Sequence, residues 1–146
     1  MPNLVSTIQP DVSSDLLADA KTQAVIEQLR AEFVDSSDEV FQSIKKLLGD
    51  IAIAAISEQD AFDEIFRAAH NLKGQAASFG YPLLGVIAHR LEDYISDSGR
   101  IGRDQIDDLQ KFIDKMQDVL RKKPDDKSVD AKEVVRSLPV KASFDP

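Results

Sequence analysis

Apolar residues recur along most of this chain at steps of three, four and seven. The first series runs Val25, Leu29, Phe33, Val40, Ile44, Leu47, Ile51 and Ala54, which lays one stripe along a helix. Asp15 opens this helical region. The polar segment Asp35-Ser36-Ser37-Asp38 interrupts the composition but not the phase. The pattern therefore predicts one long helix, bent there at most. Residues 1–14 are rich in Ser, Pro and Asp and show no period, so they read as a mobile arm.

Three further helices follow from the same logic. Ser57 can cap a helix whose first turn holds Asp60, an acidic residue where the helix dipole favours negative charge. Its stripe, Phe62, Ile65, Ala69, Leu72, Ala76 and Phe79, alternates steps of three and four, and Gly80 stands at the expected C-terminal stop. Pro82 suits the first turn of a third helix with Leu84, Ile87, Leu91 and Ile95 or Tyr94 inside, ended by Gly99. Asp104 reads as the cap of a fourth helix with Ile106, Leu109, Ile113, Met116 and Leu120 inside. Arg121, Lys122 and Lys123 complement its C-terminal dipole, and Pro124 stops it. No strand-like alternation competes. The expected fold is all-α: an antiparallel four-helix bundle over 15–123 with up-down connections. Residues 124–146 read as a tail whose one amphipathic piece, Val129 to Leu138, leaves room for a short extra helix that docks on the bundle or on a partner.

His70 is the residue with chemistry to explain. It lies about 100° around the second helix from the core position Ala69. Phe66, Lys73, Gly74 and Ala77 share its side at spacings of three, four or seven. Gly inside a helix costs about 1 kcal/mol relative to Ala, so something must come close to the backbone at Gly74. A neutral imidazole nitrogen is a good nucleophile toward phosphorus, and the ordinary His pKa of about 6.5 keeps that form dominant in the cell. Lys73, one turn away, can offset phosphoryl charge. On the third helix, His89 and Glu92 stand three apart. If their face lies beside His70, Glu92 can accept the Nδ1 proton and leave Nε2 to attack.

The segment Phe66–Gly80, FRAAHNLKGQAASFG, resembles the signature of histidine-containing phosphotransfer domains: His-x-Leu-Lys-Gly, five residues, then Gly. It is also similar to the phosphotransfer domain of chemotaxis histidine kinases, where a second His on the third helix precedes a Glu by three, as in Ala88-His89-Arg90-Leu91-Glu92. The resemblance spans roughly Thr22 to Lys122. It implies a phosphorylated His70, support from Lys73, close partner approach at Gly74 and a network through His89 and Glu92. Gln75 departs from the small residue common after that Gly; with Phe66, Arg67 and Ala77 it is expected to touch the partner. The implied activity is a phosphorelay carrier and not an enzyme. Its transient partners are response-regulator receiver domains or a histidine kinase, and the Mg²⁺ sits in the receiver. No cofactor of its own is expected. The competing readings are a receiver-binding adaptor that relays nothing, a dimeric phosphotransferase, and a metal site. The last lacks the i, i+4 histidine spacing of a helical ligand pair.

Composition narrows the partners. The chain has 146 residues, 42% of them hydrophobic, which suits a single domain. A formal charge of −8 repels nucleic acid and anionic lipid. There is no cysteine, no signal-like N-terminus and no apolar run near the roughly 20 residues of a membrane span. No Gly-rich nucleotide loop is present. The lack of cysteine fits a reducing cytoplasm, the starting Met1 and the aperiodic ends favour a free protein, and a monomer is expected.

Overall fold

The computed structural model describes residues 12–122 and 131–140, with side chains from residue 19 onward. Helix α1 covers Val12–Ala52, α2 Glu58–Ala76, α3 Pro82–Ser96, α4 Ile106–Arg121 and α5 Ala131–Ser137, with 3-10 turns at Ala77–Phe79 and Arg103–Gln105. Among the described residues every regular element is helical, and no helix is long and apolar enough to cross a membrane. Residues 1–11 of the arm, Lys123, Pro124, Val129 and residues 141–146 of the tail lie outside the described residues.

The chain runs up and down. Phe33 of α1 stacks on Phe79 beyond the end of α2, with ring centroids 4.8 Å apart. Ile51, at the other end, lines one cavity with Ser57 and Arg103. Tyr94 of α3 donates to Asp108 Oδ2 of α4 at 2.5 Å. Burial, then the Asp108 carboxylate, push the Tyr94 phenol far above its ordinary range. The local signals explain the ends. Ser57 Oγ accepts from the Asp60 amide at 3.0 Å, Pro82 opens α3, and Gly80 takes φ +90°, the left-handed conformation that ends a helix. At the start of the fourth helix, however, Asp104 is not the cap. Gln105 Oε1 accepts from the Gly102 amide at 2.9 Å, inside the 3-10 turn that precedes α4.

The core shifts the first stripe in two ways. The buried row of α1 is Phe33, Ser37, Phe41, Ile44, Leu48 and Ile51; Val40 and Leu47 flank it half-buried, and Ala54 lies in the loop, exposed. Apolar neighbours at 40–41 and 47–48 allow either phase, and packing selects one. Val25 and Leu29 are 55% and 45% exposed. At 41 residues α1 spans about 60 Å, more than twice the length of α2, α3 or α4, so its N-terminal part runs past the bundle; among the described residues, 19–29 are all exposed, and contact with the bundle begins at Arg30, whose Nε donates to the Phe79 carbonyl at 3.0 Å. The helix is also already under way at Val12, inside the segment read as an arm.

Small residues bring α2 and α3 together. Ala61, Ala69 and Ala76 of α2 and Gly85 and Ala88 of α3 are all buried. A Cβ placed on Gly85 would sit 3.6 Å from both Ala76 Cβ and the Lys73 carbonyl. Within the sequence-read tail, α5 packs on the outer side of α3: Leu138 is 5% exposed and shares a cavity with Arg90 and Tyr94.

Candidate functional site

The site grows from the α2–α3 seam. Close backbone approach at Gly85 carries α3 past Lys73, and one and two turns further along α3 stand Ala88 and Glu92. Glu92 thereby faces α2 with its side chain only 14% exposed. Its Oε2 lies 3.1 Å from His70 Nδ1, and its Oε1 accepts from Lys73 Nζ at 2.9 Å. Partial burial pushes the Glu92 carboxyl up, but the hydrogen bonds and charges of Lys73 and His70 outweigh it and hold the group below its ordinary range. Glu92 is therefore a carboxylate near neutral pH. Against a carboxylate, Nδ1 is the protonated nitrogen of a neutral imidazole, which leaves the Nε2 lone pair free. The His70 side chain is 62% exposed, so an outside group can reach it.

Phe66 and His70, four residues apart, stack with centroids 6.2 Å apart and planes 11° from parallel. Phe66 in turn stacks on Phe62 at 5.4 Å. Phe66 is half-buried. Gly74, Gln75 and Ala77 are exposed. A Cβ on Gly74 would meet nothing within 4 Å, so packing inside the chain does not require glycine there. Gly49 is equally open, but only Gly74 lies one turn from His70. Arg67 is exposed and pairs with Glu64 at 3.8 Å.

His89 does not join the network. Its Nε2 faces Asp93 Oδ2 at 3.4 Å, an i, i+4 pair on the outer face of α3. Residues three apart differ by about 60° around a helix, enough to put Glu92 on the seam and His89 off it. Lys73 Nζ pairs with Glu92 at 2.9 Å. Sequence reasoning missed Gly85, whose signal was a second small residue opposite Ala76, and the Phe66–His70 stack, whose signal was the i, i+4 aromatic spacing. Among the described residues no three His, Cys, Asp or Glu side chains cluster as metal ligands.

The sequence model of the Hpt domain family matches residues 28–122, well over half of the chain. The chain belongs to the Hpt domain family. Its matched part comprises the bundle from the middle of α1 to the end of α4, with His70 and Glu92 inside. Such a domain serves histidine phosphotransfer in two-component signalling, as a phosphocarrier. The chain is also 29% identical over 94 residues to the chemotaxis protein CheA of Salmonella typhimurium, a match that covers 64% of this chain and 14% of that protein. The Hpt domain thus corresponds to a small part of that relative's length. No solved structure matches it.

Proposed function

We propose that this Hpt domain carries its phosphoryl group on His70 Nε2, exchanging it with the aspartate of a response-regulator receiver or accepting it from a histidine kinase. The observation that carries the reading is the exposed imidazole whose Nδ1 is held 3.1 Å from the Glu92 carboxylate. In the acceptor direction the Nε2 lone pair attacks the phosphorus of the partner's aspartyl phosphate. The N–P bond forms, the P–O bond to the aspartate breaks, and the aspartate leaves with the electron pair. The proton on Nδ1 stays beside Glu92, so the phosphorylated ring is an imidazolium that the carboxylate stabilises. The reverse step regenerates the neutral imidazole.

Each neighbour has a part. Lys73 is 31% exposed and can exchange Glu92 for a phosphoryl oxygen. Gly74 leaves the helix backbone bare where a partner must approach. Arg67, Gln75 and Ala77 border the same strip and touch the partner. The Mg²⁺ of the reaction belongs to the receiver, and the association is transient, between this monomer and its partner in the cytoplasm. The test is transfer of radiolabel from a phosphorylated receiver or kinase. Wild type takes up label that is acid-labile and alkali-stable, and His70→Gln takes up none. Equal labelling of both, or wild type that binds cognate receivers and never acquires label, overturns the reading in favour of an adaptor.

A further inference from the structure

The hydrogen bond to Glu92 cannot by itself aim His70. The imidazole hangs on two torsions, and one distance at Nδ1 removes one of them. A concerted swing remains in which Nδ1 stays near Oε2 while Nε2 sweeps through solvent. In-line transfer needs Nε2 to point along the axis of the breaking P–O bond. The 62% exposure of the side chain shows how little else restrains the ring from the solvent side.

Phe66 supplies the missing restraint. Its plane lies 11° from that of His70, at a centroid distance of 6.2 Å, within the range of offset aromatic stacks. The stack is seated rather than loose. Phe66 rests on Phe62 at 5.4 Å, and both pack against the buried core. A hydrogen bond to Nδ1 and a near-parallel aromatic neighbour restrain the imidazole in different ways, the first holding one ring nitrogen and the second the tilt of the ring plane. We propose that Phe66 is a positioning residue for His70: it fixes the plane of the imidazole from which Nε2 attacks. This rests on His70 as the phosphoryl acceptor, and it assigns Phe66 to the reacting ring before any partner docks.

Phosphoramidate, a small donor that needs no docking surface, separates positioning from partner binding. Phe66→Leu keeps apolar bulk and loses the flat face, whereas Phe66→Tyr keeps it. With phosphoramidate the single-turnover rate of Phe66→Leu falls about 3- to 10-fold, and Phe66→Tyr stays near wild type. In NMR spectra the ring protons of His70 lose their ring-current shift in Phe66→Leu and keep it in Phe66→Tyr. Thermal melts show that both remain folded; if Phe66→Leu does not, Phe66→Met takes its place. Wild-type rate and ring shifts in Phe66→Leu overturn the proposal. So does a loss seen only with a receiver as donor, which makes Phe66 a docking residue. Absence of label on wild-type His70 sinks the carrier reading instead, while the ring shifts still decide whether Phe66 orients the imidazole.

Discussion

At the scale of residues, Glu92 is the group whose removal separates the parts of the site. It accepts from His70 and from Lys73 with different oxygens. An amide at that position can turn either end toward Nδ1. With its NH₂ there, the ring is driven into the tautomer that carries its proton on Nε2, and the nucleophile is lost. Glu92→Gln is therefore expected to slow phosphorylation of His70 by about 10- to 100-fold, with a mixed tautomer visible in the ring ¹⁵N shifts. Unchanged shifts and rate would mean that water suffices to hold Nδ1. The same carboxyl makes stability depend on pH. Its pKa in the folded state lies below the ordinary value of 4.5, so its contribution is present above that value and disappears as pH falls through the depressed one. The acid limb of the unfolding curve should be shallower in Glu92→Gln than in wild type, with the two curves parallel above about pH 6.

At the scale of elements, α2 carries a local conflict. Its capping, period and C-terminal stop all agree with a helix, and Gly74 in its last turns does not. Nothing within 4 Å of a Cβ there explains the glycine, so its helix penalty is uncompensated inside the fold. Gly74→Ala should raise stability by up to about 1 kcal/mol in urea unfolding. It should leave phosphoramidate labelling intact and slow transfer from a phosphorylated receiver by about tenfold, the equivalent of 1.4 kcal/mol. A loss of stability would show that the backbone at Gly74 serves the bundle and not a partner. The seam with α3 behaves oppositely. Gly85 is buried and in ordinary contact with Ala76 and the Lys73 carbonyl, so side chains larger than Ala there would push Glu92 away from His70.

At the scale of the whole molecule, α1 divides into a half that belongs to the core and a half that does not. Val25, Leu29, Phe33 and Ile44 lie on one continuous periodic series, yet only the last two are buried. Val25→Gln with Leu29→Gln should change the free energy of unfolding by no more than about 0.5 kcal/mol. Phe41→Ala, a fully buried ring outside that series, should cost about 3–5 kcal/mol. Chemical denaturation of both variants measures the contrast, and comparable losses would place the α1 overhang inside the cooperative unit. The net charge of −8 acts at this scale as well: it disfavours association with nucleic acid phosphates.

Much of this protein was legible from one dimension. Helix periods, the Ser57 cap, Pro82 and Gly80 depend on neighbours within a turn, and such local preferences survive in the fold. That His70, Lys73 and Gly74 lie together on one helix was legible for the same reason, since the spacing that joins them is local. What joins α2 to α3 was not. Glu92 and His89 both entered the expected network because both stand near one face of α3; only the close approach at Gly85 decided that Glu92 meets His70 and that His89 turns to Asp93. The end of the core along α1 was likewise settled by the lengths of its neighbours. Sequence determines which residues a helix can offer on each side, and contacts between helices determine which of those offers is taken up, because burial and hydrogen bonding require a second surface.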